Sequence, residues 1–540
     1  MSRLARLAVV CYLLLSGVYL IYWPHVDYFV DDWILMPQFH KAVAGGPSGI
    51  AGLAVQAVQN RIYGVYRMQW LSILYGFGVT WLGGYSAQFN FALLLLLHAA
   101  NACLLCLWLA RLGLQEGLAF SSGALFLLAP STHWLLFTYL TNPFFVFSTF
   151  WILLMLWRLA AEKPRRGAVA ACALCALFAG EQVFLLLWLA APLAAWCFRR
   201  RWLRPLVPAW AALGLAGAVY VLVVTRISPL QAGSQRHWWT GKTLGLNSEQ
   251  ILEQLGRLAG LSGPSYYSFQ PAGADLLLAA GAAALTGLLA WRLAEGQPRG
   301  GVRLLLLGLG GVLLAYGPTL WLAGGYPLRY HYTPSPFLAA ALAALLWILL
   351  RPAWLRASAA GLLAAVFTLH AAAGLRQGWI PMATQHQLLA AKLRELRSNI
   401  APGDLLIVAG TPFELGTAQH FSIHLPKIAV PFVESTTGVR PLEVVFDLGP
   451  EDSRWELFRN LNFSWHLKPA DVARAHLLVW SKGAFVRPSY VAHRVDAEHY
   501  RLLPLKGVSL PPELAGAEFH REQLALSPER VYLSRSFAVQ

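Results

Sequence analysis

Asp27, Asp31 and Asp32 stand in the run Trp23-Pro24-His25-Val26-Asp27-Tyr28-Phe29-Val30-Asp31-Asp32-Trp33, directly after the first long apolar stretch of the chain. Carboxylates beside a bilayer are costly to keep dry, so in such a place they persist for proton transfer or ion handling. Asp31 and Asp32 are sequence neighbours and do not point the same way from a helix or a strand. One can face a cavity while the other meets backbone, a cation or a basic side chain. A carboxylate so placed suits a general base, taking the proton of an acceptor hydroxyl as that oxygen attacks a sugar carbon. Two plainer roles suit it as well: a solvated pair on a loop, or a cap for a helix over Trp33 to Phe39. The adjacent acids Asp31 and Asp32 can also hold a divalent cation, Mg2+ or Mn2+, through oxygen ligands.

Basic residues supply the complementary chemistry. Arg329 lies in Gly325-Tyr326-Pro327-Leu328-Arg329-Tyr330-His331-Tyr332, where a guanidinium can fork onto phosphate oxygens and stabilise a phosphate leaving group. The neighbouring aromatics equally fit the headgroup belt, which would make Arg329 an interface anchor. Arg61 and Arg67 share the first loop with the aspartates and can pair with them or bind phosphate. Glu181, in Ala179-Gly180-Glu181-Gln182, joins two apolar runs and is expected to face the protein interior or a cavity. His98 and Asn101 fall on one helix face at i, i+3 spacing, which fits helix–helix hydrogen bonding as well as a cavity wall. His237, Trp238, Trp239 and Lys242 could line a sugar site or form an aromatic interface patch. The candidates for a substrate cavity are thus Asp27, Glu181, His98, Tyr330, His331 and Trp239. The sequence has no Walker A loop, no Cys/His metal cluster and no Gly-x-Ser-x-Gly, so inner-face nucleotide chemistry has no support.

These residues need elements to position them, and the composition says which kind. Of 540 residues, 57% are hydrophobic and 13% charged, with a mean hydropathy of +0.51. A soluble domain of this length would be about a quarter charged. The chain reads as a polytopic α-helical membrane protein. Apolar runs over 7–23, 88–110, 117–130, 143–160, 167–180, 182–198, 207–225, 273–291, 303–323, 336–350 and 357–375 predict about 11 transmembrane helices. The apolar segment Met68 to Gly84 is expected to be interfacial or re-entrant. Counting it as a span would turn every later loop over.

The net charge of +16 follows the same layout. The loops assigned to the inner face, among them Arg165, Arg166, Arg199, Arg200 and Arg201, hold sixteen basic residues against three acidic ones. That is the positive-inside pattern, which sets orientation and does not call for nucleic acid as a partner. The N-terminus is expected inside, as a retained first helix, because bulky Tyr22, Trp23 and Pro24 follow the apolar run where a signal peptide needs small residues. All six cysteines lie in apolar helices and read as packing residues. Eleven spans leave the C-terminus outside, with outer loops 24–87 and 226–272 and a tail from 377 to 540. In the tail the composition turns polar. It shows a helix over Gln385 to Arg397 and strand-like runs at Leu405 to Ala409, Leu442 to Phe446 and Ala475 to Trp480. This is expected to be a C-terminal soluble α/β or α+β extracytoplasmic domain, following a transmembrane domain over 1–376.

The order of these features resembles the GT-C superfamily of membrane glycosyltransferases. Tyr66-Arg67-Met68-Gln69-Trp70-Leu71-Ser72 resembles the Y-R-P-L-x-x-L-S run of its protein O-mannosyltransferase-like branch. The helix from Phe89-Asn90 to His98 and Asn101 resembles the branch's F-H-x-x-N-x-x-x-H-x-x-N-A. Gly180-Glu181 stands where Lys-Glu is usual, and Tyr326-Pro327-Leu328-Arg329-Tyr330 resembles its late R-Y-x-Y loop. Met68 replaces the usual Pro and Gly180 the usual Lys. The likeness covers roughly residues 1–375; the tail matches no named pattern. It implies an inner-membrane enzyme that takes a sugar from a polyprenyl-phosphate donor on the outer face and gives it to a glycan, lipid or protein acceptor. Asp31 would then be the catalytic base, Asp32 its support or a metal ligand, and Arg329 the contact to the carrier phosphate. A polysaccharide polymerase or ligase, or a lipid-linked sugar flippase without chemistry, are the competing readings. A flippase would show mid-span broken helices and internal pseudo-symmetry.

Overall fold

The structure, a computed structural model, describes residues 3–28, 32–58, 69–132, 136, 140–180, 184–197, 203–227, 273–293, 300–320, 331–409, 414–415, 418–419, 426–441, 443–447, 472–496, 498–520, 523–524 and 531–533. Among the described residues, helices account for most of each of the eleven apolar runs. In chain order, the helices are α1 (Arg3–Leu15, which tightens into 3-10 turns over Ser16–His25), α2 (Asp32–Ala44), α3 (Gly46–Val58), α4 (Trp70–Leu82), α5 (Ala87–Arg111) and α6 (Glu116–Leu128). They continue as α7 (Phe144–Leu159), α8 (Arg166–Ala179), α9 (Phe184–Cys197), α10 (Leu203–Ile227), α11 (Gly273–Arg292), α12 (Gly301–Leu320), α13 (Ser335–Leu349), α14 (Ala353–Gly374), α15 (Ile380–Glu395) and α16 (Pro426–Thr437).

Among the described residues, four helical stretches are long and apolar enough to cross a membrane: Arg3–His25, Ala87–Arg111, Gly273–Arg292 and Ala353–Glu395. Further apolar stretches of 10–17 residues include Trp70–Leu82, the segment expected to be interfacial. Their length falls short of the roughly 20 residues of an upright span.

The chain divides into two compact units, one of residues Met1–Tyr28 and Gln38–Arg376, the other of Phe29–Pro37 and Gln377–Gln540. The division runs through α2, so a short piece of the first loop belongs with the tail.

In the first unit, α5 is a central post. Ser86 opens it by accepting a hydrogen bond from the Phe89 N–H, 3.3 Å away, which satisfies one of the free donors of the first turn. The helix packs against α1, α6 and α7. α11 and α14 form an intimate pair because Gly361 lets the backbones meet. A Cβ there would fall 2.7 Å from the Ala283 carbonyl oxygen, the small-residue contact typical of helices in lipid. Arg376 donates to Asp275 at 2.7 Å and ties the residues after α14 to the first turn of α11. Cys11, Cys106 and Cys172 are buried and Cys103 and Cys175 half-buried, all as free thiols.

In the second unit, β1 (Leu405–Ala409) is flanked in parallel by β4 (Glu443–Asp447) and β5 (Ala475–Ser481), and β6 (Ala484–Val486) adds antiparallel to β5. Every residue of β1 is buried, as a central parallel strand requires. α16 lies between β1 and β4 in sequence and packs on α15 and β4. Lys482 and Gly483 turn the β5–β6 hairpin with φ of 49° and 84°, the two left-handed residues of a tight hairpin. β2 (Glu414–Leu415) and β3 (Ala418–Gln419) pair antiparallel with each other, and a second, mixed sheet runs β10–β7–β8–β9, built from Val531–Leu533, Tyr490–Arg494, His499–Pro504 and Glu518–His520. The unit is therefore α/β. Its strands stand at or within one residue of the three runs read from the sequence, while the second sheet and α16 are additions to that reading.

Asp404 ties the two sheets together from the residue before β1. It accepts from the Lys506 ammonium at 2.7 Å and from the Ala401 N–H at 2.7 Å, and lies 3.0 Å from His476 Nε2 on β5. Lys506 follows β8, and its N–H bonds the Ala475 carbonyl.

Candidate active site

Asp32 is the first residue of α2 and is fully buried, at 0% exposure. Of the alternatives its sequence position leaves open, a solvated loop carboxylate is thereby excluded for Asp32. Its place in the first turn is favourable for an anion, because the free N–H groups and the helix dipole favour negative charge there. Asp32 belongs to the second unit. The next residue, Trp33, is held by that unit. Its ring meets Phe432 of α16 edge-on at 5.0 Å between centroids and lies 6.1 Å from the His386 ring of α15. His386 and Phe432 are themselves 4.6 Å apart, so three rings close on one another within ordinary aromatic contact distances. Phe432 is 1% and His386 1% exposed.

The first unit contributes a separate set. Asp27 is half-buried, and its Oδ1 accepts from the Tyr28 N–H at 2.8 Å. Asn90 of α5 donates to Thr80 of α4 at 2.7 Å and reaches the Tyr28 hydroxyl at 3.5 Å. His98 Nε2 lies 3.0 Å from the Leu127 carbonyl and Nδ1 lies 2.7 Å from the Tyr332 hydroxyl. A carbonyl only accepts, so the proton sits on Nε2 and Nδ1 accepts from Tyr332. Asn101 donates to the same hydroxyl at 3.1 Å and to the Val146 carbonyl at 3.0 Å. The i, i+3 pair thus joins α5 to α6 and α7 through the Leu127 and Val146 carbonyls, the helix–helix role, and also converges on Tyr332, three positions after Arg329. His331 is buried beside it, at 1% exposure. The segment is fastened further by Ser335 to Ser131 at 2.8 Å and Thr333 to Thr149 at 3.5 Å.

A second buried network is absent from the sequence candidates. Ser72 donates to Asn142 Oδ1 at 2.7 Å, and Asn142 Nδ2 donates to Gln69 Oε1 at 3.1 Å. Gln69 and Ser72 belong to the run that resembles the glycosyltransferase motif. Asn142 sits in an Asn-Pro pair, a turn signal that says nothing of its partner. Tyr332, His386 and Phe432 likewise escape sequence reasoning as positioning groups, because their partners are hundreds of residues away in sequence.

Asp31, Arg61, Arg67, Glu181, Trp239, Arg329 and Tyr330 lie outside the described residues. So do His237, Trp238 and Lys242. Among the described residues, no group of three His, Cys, Asp or Glu side chains converges to hold a metal ion.

No protein-family model matches the chain, and no curated protein matches it. Solved structures do. A glycosyltransferase stands among them. The chain is similar to the arabinofuranosyltransferase AftD from Mycobacteria, at 16% identity and a TM-score of 0.45, over 96% of this chain and 39% of AftD. The chain therefore spans about two fifths of the AftD length. It is also similar to ArnT from Cupriavidus metallidurans, solved bound to undecaprenyl phosphate, at 12% identity and a TM-score of 0.37, over 86% of this chain and 92% of ArnT.

Proposed function

We propose that this chain is an inner-membrane glycosyltransferase that moves a sugar from a polyprenyl-phosphate donor to a hydroxyl of a glycan, lipid or protein on the outer face. The observation that carries the reading is Asp32. A fully buried carboxylate in a chain this apolar costs several kcal/mol to maintain, and it stands next to the acid that the family resemblance assigns as base. The reading has about 11 spans, the N-terminus inside and the tail outside, in keeping with the basic inner loops.

In the reaction, the acceptor oxygen attacks the anomeric carbon as Asp31 takes its proton. The bond from that carbon to the phosphate oxygen breaks, the configuration inverts, and the lipid phosphate leaves against the Arg329 guanidinium. Asp32, buried at the head of α2, takes a supporting role or that of a metal ligand. His98 and Asn101 fix Tyr332, and through it the end of the segment that bears Arg329. A lipid-tailed donor with a polar head is met at the membrane boundary, where an apolar chain with a few buried polar groups can receive both ends.

The test is turnover. Purified wild type, Asp31→Asn and Asp32→Asn are assayed for release of polyprenyl phosphate from a panel of polyprenyl-phosphate sugars, with and without EDTA. We expect Asp31→Asn to lose about 10²–10⁴-fold in rate while donor binding is retained. EDTA sensitivity would assign a divalent cation to the site. A wild type that binds such lipids and moves them across vesicles without cleaving any would replace this reading with the flippase.

A further inference from the structure

The Trp33, His386 and Phe432 rings give the second unit a part in the chemistry that the sequence assigns to the first loop alone. Trp33 is 8% exposed and adjoins Asp32 through one peptide bond. Its ring is met by one residue of α15 and one of α16, and α15 and α16 pack on each other. α16 in turn packs on β4, the edge strand beside fully buried β1. An unbroken series of packed groups therefore runs from the core of the α/β sheet to the residue beside Asp32. The geometry is that of a clamp with two jaws, and it closes on the very start of α2, since Asp32 is the first residue of that helix.

We infer that His386 and Phe432 are positioning residues that fix Asp32 through Trp33. The inference rests on the proposed function for what Asp32 does, but the clamp itself does not. A general acid–base site tolerates little displacement: a misplacement of about 1 Å costs on the order of 10²-fold in rate. Loss of a ring that seats Trp33 should act on turnover more than on the recognition of the donor's lipid tail.

The full chain in detergent tests this with two readouts taken on the same samples. Hydrogen exchange of peptides covering 32–37 reads the clamp, and steady-state kinetics with a polyprenyl-phosphate sugar reads positioning. The variants are Phe432→Ala, His386→Ala, Trp33→Ala and the conservative Trp33→Phe. We expect Phe432→Ala and Trp33→Ala to speed exchange in 32–37 at least tenfold and to lower kcat 10- to 100-fold, with the donor KM within twofold. Trp33→Phe should keep protection and most of kcat, because a ring still fills the clamp. If Phe432→Ala unfolds the tail, seen as fast exchange throughout β1 and β5, His386→Ala decides the matter with the same two readouts. Unchanged protection of 32–37 in the Ala variants would overturn the clamp. Raised exchange with unchanged kcat would overturn the positioning role. A wild type inactive on every donor would overturn the proposed function, and the exchange arm would then decide the clamp by itself.

Discussion

At the scale of single residues, Asp404 makes the tail's stability a function of pH. Burial pushes its carboxyl up, but Lys506, the Ala401 N–H and His476 outweigh this and hold it below the ordinary carboxylate range. Burial pushes the His476 imidazole down, and Asp404 offsets only part of that. Both shifts act in one direction. As pH falls below about 6.5, the unfolded chain protonates His476 first, and below about 4 it protonates Asp404 first. Each step withdraws stability until the lower folded value is passed. The melting temperature of the second unit should be level from pH 7 to 8 and decline from about pH 6.5 downward. Asp404→Asn should cost about 1–3 kcal/mol at pH 7, because it removes the charge that pairs with Lys506 and replaces one of the two acceptor oxygens with a donor amide, and should flatten the acid part of the profile. Differential scanning fluorimetry across pH checks both. Tyr332→Phe removes the hydroxyl that His98 and Asn101 share, and should cost about 1 kcal/mol or somewhat more in detergent, measured as a drop in melting temperature. The sequence makes the acidic pair and the His98/Asn101 spacing legible. It does not make legible the groups that seat them, because aromatic partners such as His386 and Phe432 carry no local pattern that points to Trp33.

At the scale of elements, hydropathy does well wherever one helix answers to one apolar run. The described residues of the eleven runs are largely helical, the one structure in which a single apolar segment satisfies its own backbone. Prediction falters where an element is short or its apolar face is shared. Trp70–Leu82 is a helix of 13 residues, and its role is set by what it presses on. A Cβ on Gly76 would collide with the Thr141 carbonyl, and Ser72, one turn earlier, is bonded to Asn142. The helix is thus fitted to residues 141–142 at van der Waals contact. Gly76→Ala should force them apart, break the Ser72–Asn142 bond and destabilise by about 1–3 kcal/mol, visible as earlier thermal aggregation. Gly78, with open space around it, should accept Ala at a fraction of that cost. In the tail, β1, β4 and β5 are readable as short apolar runs, whereas β7 to β10 alternate and break at Pro and Gly too often to stand out.

At the scale of the whole molecule, charge and division matter most. The basic loops predict that a reporter fused after Arg165 stays active only on the cytoplasmic side. A fusion after residue 376 should be active only on the outer side; the opposite result would mean that Trp70–Leu82 spans. The division into units could not be read from sequence, because residues 29–37 look like any other part of the first loop until their partners are known. Those partners have a cost in time. The ribosome makes Trp33 early and reaches His386 and Phe432 only after the intervening first unit has been made. At about 5–20 residues per second that delay is on the order of tens of seconds. Through all of it the head of α2 waits without the rings that will seat it, so a nascent chain stalled before α15 should expose this segment to proteases, and synthesis through α16 should close it off.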